Sequence, residues 1–312
     1  MEQKFIIEDT LQFVNEMSKM LEGKTCLITG GTSGIGKEIA IGLAKMKANV
    51  VLVGRNKAKC QATLEEIWRA ASIDTNRNQI SYLLADLSSQ ASIHQLANEF
   101  LDTYESLEIL LNNAGVFLSR RLTTVDGIEY TLAVNHLAPF LLTNLLFERI
   151  KASSPSRIIT TSSVAHRGAH INFNDLQFER GRYNGVDAYR QSKLANILFT
   201  KELARRSRTS GVTSNCFHPG GVRTNLVQQG SWYYRLIWAI ISPFLVSPKK
   251  GADTAVYLAS SPKLDEISGK YFVNRKPVGL LELAENADTA ARLWKISEEL
   301  TGCYKKNNED PT

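Results

Sequence analysis

Cysteine is scarce and scattered. Cys26, Cys60, Cys216 and Cys303 are the only four in 312 residues, and no two share a CxxC spacing. That argues against a structural zinc site and a disulfide framework, and fits a reducing compartment. Histidine offers no metal-ligand spacing either, so His136, His166 and His218 are expected to be structural and no metal is expected. The N-terminus has no basic start followed by an apolar core. Glu2, Glu8, Asp9 and Glu16 interrupt it, which speaks against a secretory signal and a mitochondrial transit peptide. The protein is expected in the cytoplasm or peripherally on an intracellular membrane, not secreted. There is no internal repeat and no low-complexity linker. The charge excess is only +6. It reads as a basic surface without a special partner, with weak attraction to anionic membranes or phosphate-bearing ligands as the alternative. No nucleic-acid partner is expected.

What the chain does have is alternation. Apolar, β-branched runs recur at Thr25 to Thr29, Val50 to Val53, Ile80 to Leu84, Ile109 to Leu111, Arg157 to Thr161 and Val212 to Cys216. Helix-length segments of 3.6-residue periodicity separate them. This pattern predicts an α/β fold, a single doubly wound Rossmann-type domain with a parallel sheet and helices on both faces. The domain is expected over residues 23–304. Residues 1–22 form an N-terminal extension in which Leu11, Val14, Met17 and Leu21 have helical spacing. An amphipathic helix packed on the domain is expected there, with a membrane-surface helix as the alternative. Residues 305–312 read as a frayed polar tail.

Two features carry chemistry. Thr25 to Thr29 enters the turn Gly30-Gly31-Thr32-Ser33-Gly34-Ile35-Gly36, and Lys37 to Ala48 continues as a helix. Gly30 permits the tight turn, Gly34 lets backbone approach a phosphate, and Gly36 lets the helix pack on the strand. The helix N-terminus then faces a dinucleotide pyrophosphate. Far downstream, Tyr189 and Lys193 stand four residues apart, so a helix puts them on one face. An ammonium beside a phenol is expected to favour the phenolate and lower its pKa. A phenol so tuned exchanges a proton near neutral pH.

The second strand ends in Val53-Gly54-Arg55-Asn56-Lys57, with no acid to hold a ribose hydroxyl. Arg55 can pair with a 2′-phosphate instead, so NADP(H) is expected over NAD(H), with Lys37 and Lys59 adding charge. Asp86, followed by Leu87, could accept from the adenine amino group or cap a helix. Asn113-Ala114-Gly115 lets backbone approach the cofactor ribose. Asn135 is a polar amide in an apolar helix and needs a partner. Pro219 and Gly220 follow the sixth strand, with Val222 beyond them in the expected cofactor set and Thr224 placed to contact a nicotinamide amide. The expected cofactor set also includes Thr32, Ser33 and Ile35.

TGGTSGIG, NNAG, Asn135, Ser163, Tyr189-Arg190-Gln191-Ser192-Lys193 and Pro219-Gly220 together resemble the short-chain dehydrogenase/reductase family over nearly the whole chain. The resemblance implies a catalytic set of Asn135, Ser163, Tyr189 and Lys193. Ser162 is the competing serine; Ser163 is preferred because the family's serine usually precedes a small apolar residue, here Val164. Ser163-Val164-Ala165-His166, Phe173-Asn174-Asp175-Leu176, Ser192-Lys193-Leu194-Ala195-Asn196, Gly269-Lys270-Tyr271-Phe272 and Ala291-Arg292-Leu293-Trp294 are similar to the retinol dehydrogenase branch. That implies NADP(H) and a small lipophilic alcohol or aldehyde such as a retinoid. In such a site Tyr189 gives the proton, Ser163 holds the carbonyl oxygen, Lys193 tunes the phenol and grips the ribose, and Asn135 positions a water. Reduction of steroids or xenobiotic carbonyls is the alternative chemistry, and a non-catalytic NADPH-binding scaffold or sensor the alternative of another class.

Trp232 to Val246 is a dense apolar stretch, broken by Arg235 and Pro243 and shorter than the about 20 residues a membrane helix needs. A substrate lid near residues 225–248 is expected. Core or dimer packing and a membrane-dipping segment are the alternatives, which keeps a homodimer and a peripheral membrane contact open as partners.

Overall fold

A computed structural model of the chain describes residues 20–71, 79–222 and 246–303. Residues 1–19 of the expected N-terminal helix, the polar tail, Thr224 and all of the expected lid before Val246 lie outside the described residues; Leu21, expected on that helix, is instead a turn residue buried in the domain core. Val246 itself bridges Val222 in parallel, and Ser247 caps the helix that starts at Pro248, so the lid's expected end already belongs to the domain.

The strands are β1 Thr25–Thr29, β2 Asn49–Gly54, β3 Ile80–Leu84, β4 Ile109–Asn112, β5 Ser156–Thr161, β6 Val212–His218, β7 Tyr271–Val273 and β8 Lys276–Pro277. They form one sheet in the order β3-β2-β1-β4-β5-β6-β7-β8. Every pairing is parallel except β7 with β8, an antiparallel edge that the run of apolar segments does not reveal. The helices are α1 Gly34–Ala44, α2 Lys57–Ala71, α3 Gln90–Thr103, α4 Ala138–Ala152, α5 Gly185–Arg206, α6 Pro248–Ser260 and α7 Ala287–Thr301. A π-helical turn, Ala133–Leu137, leads into α4 and carries Asn135.

Alternate residues of each strand feed two cores. Cys26 and Ile28 of β1 face α1, α2 and α6 with Ile39, Leu43, Val50, Leu52 and Phe272. Leu27 faces the other way, toward Phe100, Leu110, Phe140, Leu141, Phe199 and Trp294. Both faces of a parallel sheet are thereby covered, as its continuous apolar strands require. Tyr130–Ala152 is long and apolar enough to cross a membrane, yet 78% of its apolar window is buried inside the domain, as a core helix would be.

The chain order reverses between β1 and β4, whose C-terminal ends diverge into loops. Doubly wound sheets open their ligand crevice at this switch point.

Candidate active site

A cleft of about 640 Å³ lies there. Its lining includes Gly30, Thr32, Ser33, Gly34, Ile35, Gly36, Arg55, Asp86, Leu87, Asn113, Ala114, Gly115, Ser163, Tyr189, Lys193, Pro219, Gly220 and Val222. Every cofactor residue expected from the sequence, apart from Lys37 and the undescribed Thr224, thus lines one cleft.

The glycine turn is built for close approach. Gly30 and Gly34 adopt φ of +65° and +53°, where a side chain is strained. A Cβ on Gly36 would sit 2.3 Å from the Gly30 carbonyl oxygen and 2.6 Å from Asn113 Nδ2. Ser33 precedes α1 but its side chain caps nothing, which leaves first-turn N–H groups facing the cleft. Thr29, which the sequence reading passed over, ties this turn to the end of β4. Its Oγ1 accepts from the amides of Asn113 and Ala114 at 3.0 and 3.1 Å and donates to the Leu111 carbonyl at 3.3 Å. Asn113 Nδ2 donates back to the Thr29 carbonyl at 3.1 Å. A threonine at a strand end was the available signal. This glycine-rich turn, cross-tied to β4 beside a helix N-terminus, fits a dinucleotide pyrophosphate.

At the far end Arg55 is exposed, lines the cleft with Asn56 and Lys59, and donates from Nη1 to the Tyr130 hydroxyl at 3.3 Å. Lys37 does not join them: its ammonium is paired with Glu66 at 2.5 Å, bridging α1 to α2. Asp86 does not cap the next helix, since Ser89 does. Its Oδ1 instead accepts from the amide and hydroxyl of Ser88, at 3.0 and 2.8 Å.

The other end is a buried polar network. Tyr189 and Lys193 share one face of α5, and Lys193 Nζ stands 5.5 Å from the centre of the Tyr189 ring. Lys193 is 3% exposed, and its Nζ donates to the Thr161 carbonyl at 3.2 Å. Ser163 is near enough to Tyr189 to oppose the rise in the phenol's pKa, and its Oγ accepts from the Ala165 amide at 3.2 Å. Ser162 is committed elsewhere: its buried hydroxyl donates to the Lys193 carbonyl at 2.8 Å. Asn135 is fully buried. Its Oδ1 accepts from the Val116 amide at 2.7 Å, and its Nδ2 donates to the Val116 carbonyl and to Ser192 Oγ, each at 3.0 Å. A Cβ on Gly115 would lie 3.4 Å from both Asn135 Oδ1 and Lys193 Nζ, so glycine there keeps the space between them open. Phe117 meets the Tyr189 ring edge-on at 5.8 Å and walls the cleft.

The electrostatics depart from the sequence expectation. Burial pushes the Tyr189 phenol up to about 12, with the Ser163 hydrogen bond pulling the other way. Burial also pulls Lys193 down to about 8. Desolvation is the largest cause for both groups, so Tyr189 is a protonated phenol at neutral pH. Among the described residues no three His, Cys, Asp or Glu side chains converge. All four cysteines are free.

An open parallel sheet, a glycine cradle at its switch point and a buried Tyr–Lys pair beside it define a dinucleotide-dependent dehydrogenase. Comparison with known proteins agrees. Residues 24–232 match the short chain dehydrogenase family model. The chain is 44% identical to human retinol dehydrogenase 12 over 282 residues, covering 90% of this chain and 87% of that one. It is 42% identical to human retinol dehydrogenase 13 over 287 residues, 90% and 86% of the two chains. Among solved structures, an uncharacterised protein from Mycobacterium paratuberculosis superposes with a TM-score of 0.74 at 32% identity, over 93% of this chain and 97% of that one. The Pseudomonas aeruginosa RhlG/NADP complex gives 0.63 at 25% identity, over 82% and 96%. The chain belongs to the short-chain dehydrogenase family, and is an oxidoreductase acting on CH–OH groups and the matching carbonyls.

Proposed function

We propose that this enzyme uses NADP(H) to interconvert a lipophilic alcohol with its aldehyde or ketone, a retinoid being the favoured substrate. The observation that carries the reading is one cleft with Arg55 at one end and Tyr189, Lys193 and Ser163 at the other. The nicotinamide, when bound, supplies or accepts the hydride. The glycine turn and Thr32, Ser33 and Ile35 would hold the pyrophosphate. Arg55 and Lys59 would hold a 2′-phosphate, Asp86 and Leu87 the adenine side, and Asn113 to Gly115 the ribose. Pro219, Gly220 and Val222 would flank the nicotinamide. The names of the retinol dehydrogenase relatives support the substrate class.

In the reductive direction Tyr189 gives its proton to the carbonyl oxygen while Ser163 donates a hydrogen bond to it. Burial keeps the phenol protonated, which suits a general acid. Transfer leaves a phenolate, and Lys193, cationic below about pH 8, stabilises it. Asn135 anchors the Val116 backbone, and beside Gly115 it borders the space through which Lys193 would be reprotonated by a water. Proton donation and oxyanion stabilisation each lower the barrier by a few kcal/mol. Unpaired cysteines support an intracellular setting.

Purified protein should be assayed with NADPH and NADH against all-trans-retinal, steroid ketones, quinones and aliphatic aldehydes. Retinal turnover with a preference for NADPH is expected. Faster turnover of a steroid ketone would replace the substrate class, and NADPH binding without turnover of any carbonyl would replace catalysis by a sensor role.

A further inference from the structure

Ser163 precedes a single 3₁₀ turn, Val164–His166, in extended backbone with φ −159° and ψ 155°. Two groups of His166 reach back to it. The His166 amide donates to the Ser163 carbonyl at 3.1 Å, and the ring Nδ1 lies 2.6 Å from that same oxygen. A carbonyl only accepts, so the contact places the imidazole proton on Nδ1. The ring is 4% exposed, and the Tyr271 ring from β7 meets it edge-on at 5.0 Å. The β6–β7 register pairs Tyr271 with Cys216 and sets it diagonal to His218 on the same sheet face. His166 and Tyr271 are thus buried behind the turn, while His218 is only partly buried and lines the cleft. Burial lowers the pKa of His166, opposed by its bond to the Ser163 carbonyl and aided by the neighbouring Arg167; burial, His166 and Arg167 lower His218 to about 4. A neutral His166 has one N–H, and Ser163 takes it.

The same turn fixes the serine hydroxyl. Ser163 Oγ accepts from the Ala165 amide at 3.2 Å, which occupies one lone pair and leaves the hydroxyl proton for an acceptor in the cleft. We propose that His166 is a positioning residue: by locking the Val164–His166 turn through the Ser163 carbonyl, it aims the Ser163 hydroxyl at the oxygen that Tyr189 protonates. This rests on the roles given to Ser163 and Tyr189 above.

Two variants separate the donor from the ring. His166→Phe keeps the edge contact with Tyr271 but has no N–H. His166→Asn loses the ring but keeps an N–H donor close to the position of Nδ1. His166→Phe is expected to lower kcat ~10- to ~100-fold, the scale of a small misplacement of a reacting group, with KM and NADPH affinity near the parent's. His166→Asn should recover most of that loss. In a Ser163→Ala background neither change should reduce kcat further, because the residue being aimed is gone; independent, multiplying losses would overturn the proposal. So would parental kcat in His166→Phe, or equal losses in both variants at parental melting temperature. Amide hydrogen exchange at Ala165 gives a readout free of turnover. It should quicken roughly tenfold or more in His166→Phe and not in His166→Asn. Unchanged exchange in His166→Phe overturns the positioning role whatever the parent catalyses. A parent with that exchange pattern but no carbonyl turnover would instead overturn the proposed reaction alone.

Discussion

The two ends of the cleft are made of different material. At the glycine turn the recognising surface is backbone: amides at the start of α1, a turn closed by Thr29 and Asn113, and glycines where a Cβ has no room. At the Tyr189 end the surface is side chain, and almost every polar atom there is held by another buried group. The first end is specified by what is missing, and fails sterically when something is added. The second is specified by hydrogen bonds and burial, and fails chemically when an atom is removed. Binding and chemistry should therefore separate under mutation.

The largest effect tests that separation directly. Tyr189→Phe removes one oxygen from the side-chain end and nothing from the backbone end. Turnover should fall at least ~100-fold, the low end for general acid catalysis, with NADPH affinity and melting temperature near the parent's. Kinetics and fluorescence titration of the coenzyme check both halves. Near-normal turnover would remove Tyr189 from the proton step.

Next comes Lys193→Met, where stability and activity should move in opposite directions. The lysine's pKa falls from 10.5 to about 8 on folding, which corresponds to roughly 3 kcal/mol of unfavourable burial. The unfolded chain binds more protons between those values, so the parent gains stability as pH rises from about 8 to 10.5. Below about pH 8 the burial penalty is fully present. The methionine variant lacks it, and should be more stable at pH 7 by up to that amount, with the advantage fading toward pH 10. Its turnover should be largely lost. Denaturant melts at both pH values decide this, and a less stable variant at pH 7 would show that the bond to the Thr161 carbonyl outweighs desolvation.

Arg55→Ala sharpens the comparison from the binding end. NADPH affinity should drop roughly tenfold or more while NADH affinity barely changes, because only NADPH carries the 2′-phosphate. The side chain is exposed, so the loss should shrink at high salt. Equal losses for both coenzymes would mean that Arg55 does not read the phosphate.

The two ends were also unequally legible. A glycine turn between strand and helix can be read from spacing, because the constraint is local, and so can a Tyr–Lys pair one helical turn apart. The missed features depend on distant partners, on local turns without a distinctive pattern, or on elements too short to show one. Lys37 is paired with Glu66, 29 residues away, and does not line the cleft. Thr29 acts through the end of β4, 84 residues on. Asp86 makes a local turn that any loop aspartate could make. The β7–β8 edge is too short, at three and two residues, to show any period. The sign of the Tyr189 pKa was misjudged for the same reason: charge proximity is visible in an i, i+4 pair, and depth of burial is not.

The smallest expected effect resolves adjacent serines. Ser162 and Ser163 both line the cleft at the end of β5. Sequence favours Ser163 only by its apolar neighbour Val164. The geometry gives a physical reason, since the Ser162 hydroxyl is turned inward onto the Lys193 carbonyl at 2.8 Å. That carbonyl lies within α5 and retains its helical partner, so Ser162→Ala deletes one neutral hydrogen bond without orphaning the acceptor. It should cost about 1 kcal/mol, a shift of about 1–2 °C in Tm, and leave most of the turnover. Ser163→Ala should show the reverse: little change in Tm, and a loss of about 100-fold in kcat, the scale of removing one donor to a developing oxyanion. Measured side by side, a larger kcat loss in Ser162→Ala would exchange the two assignments. Equal small losses would mean that the carbonyl oxygen is held by Tyr189 without help from either serine.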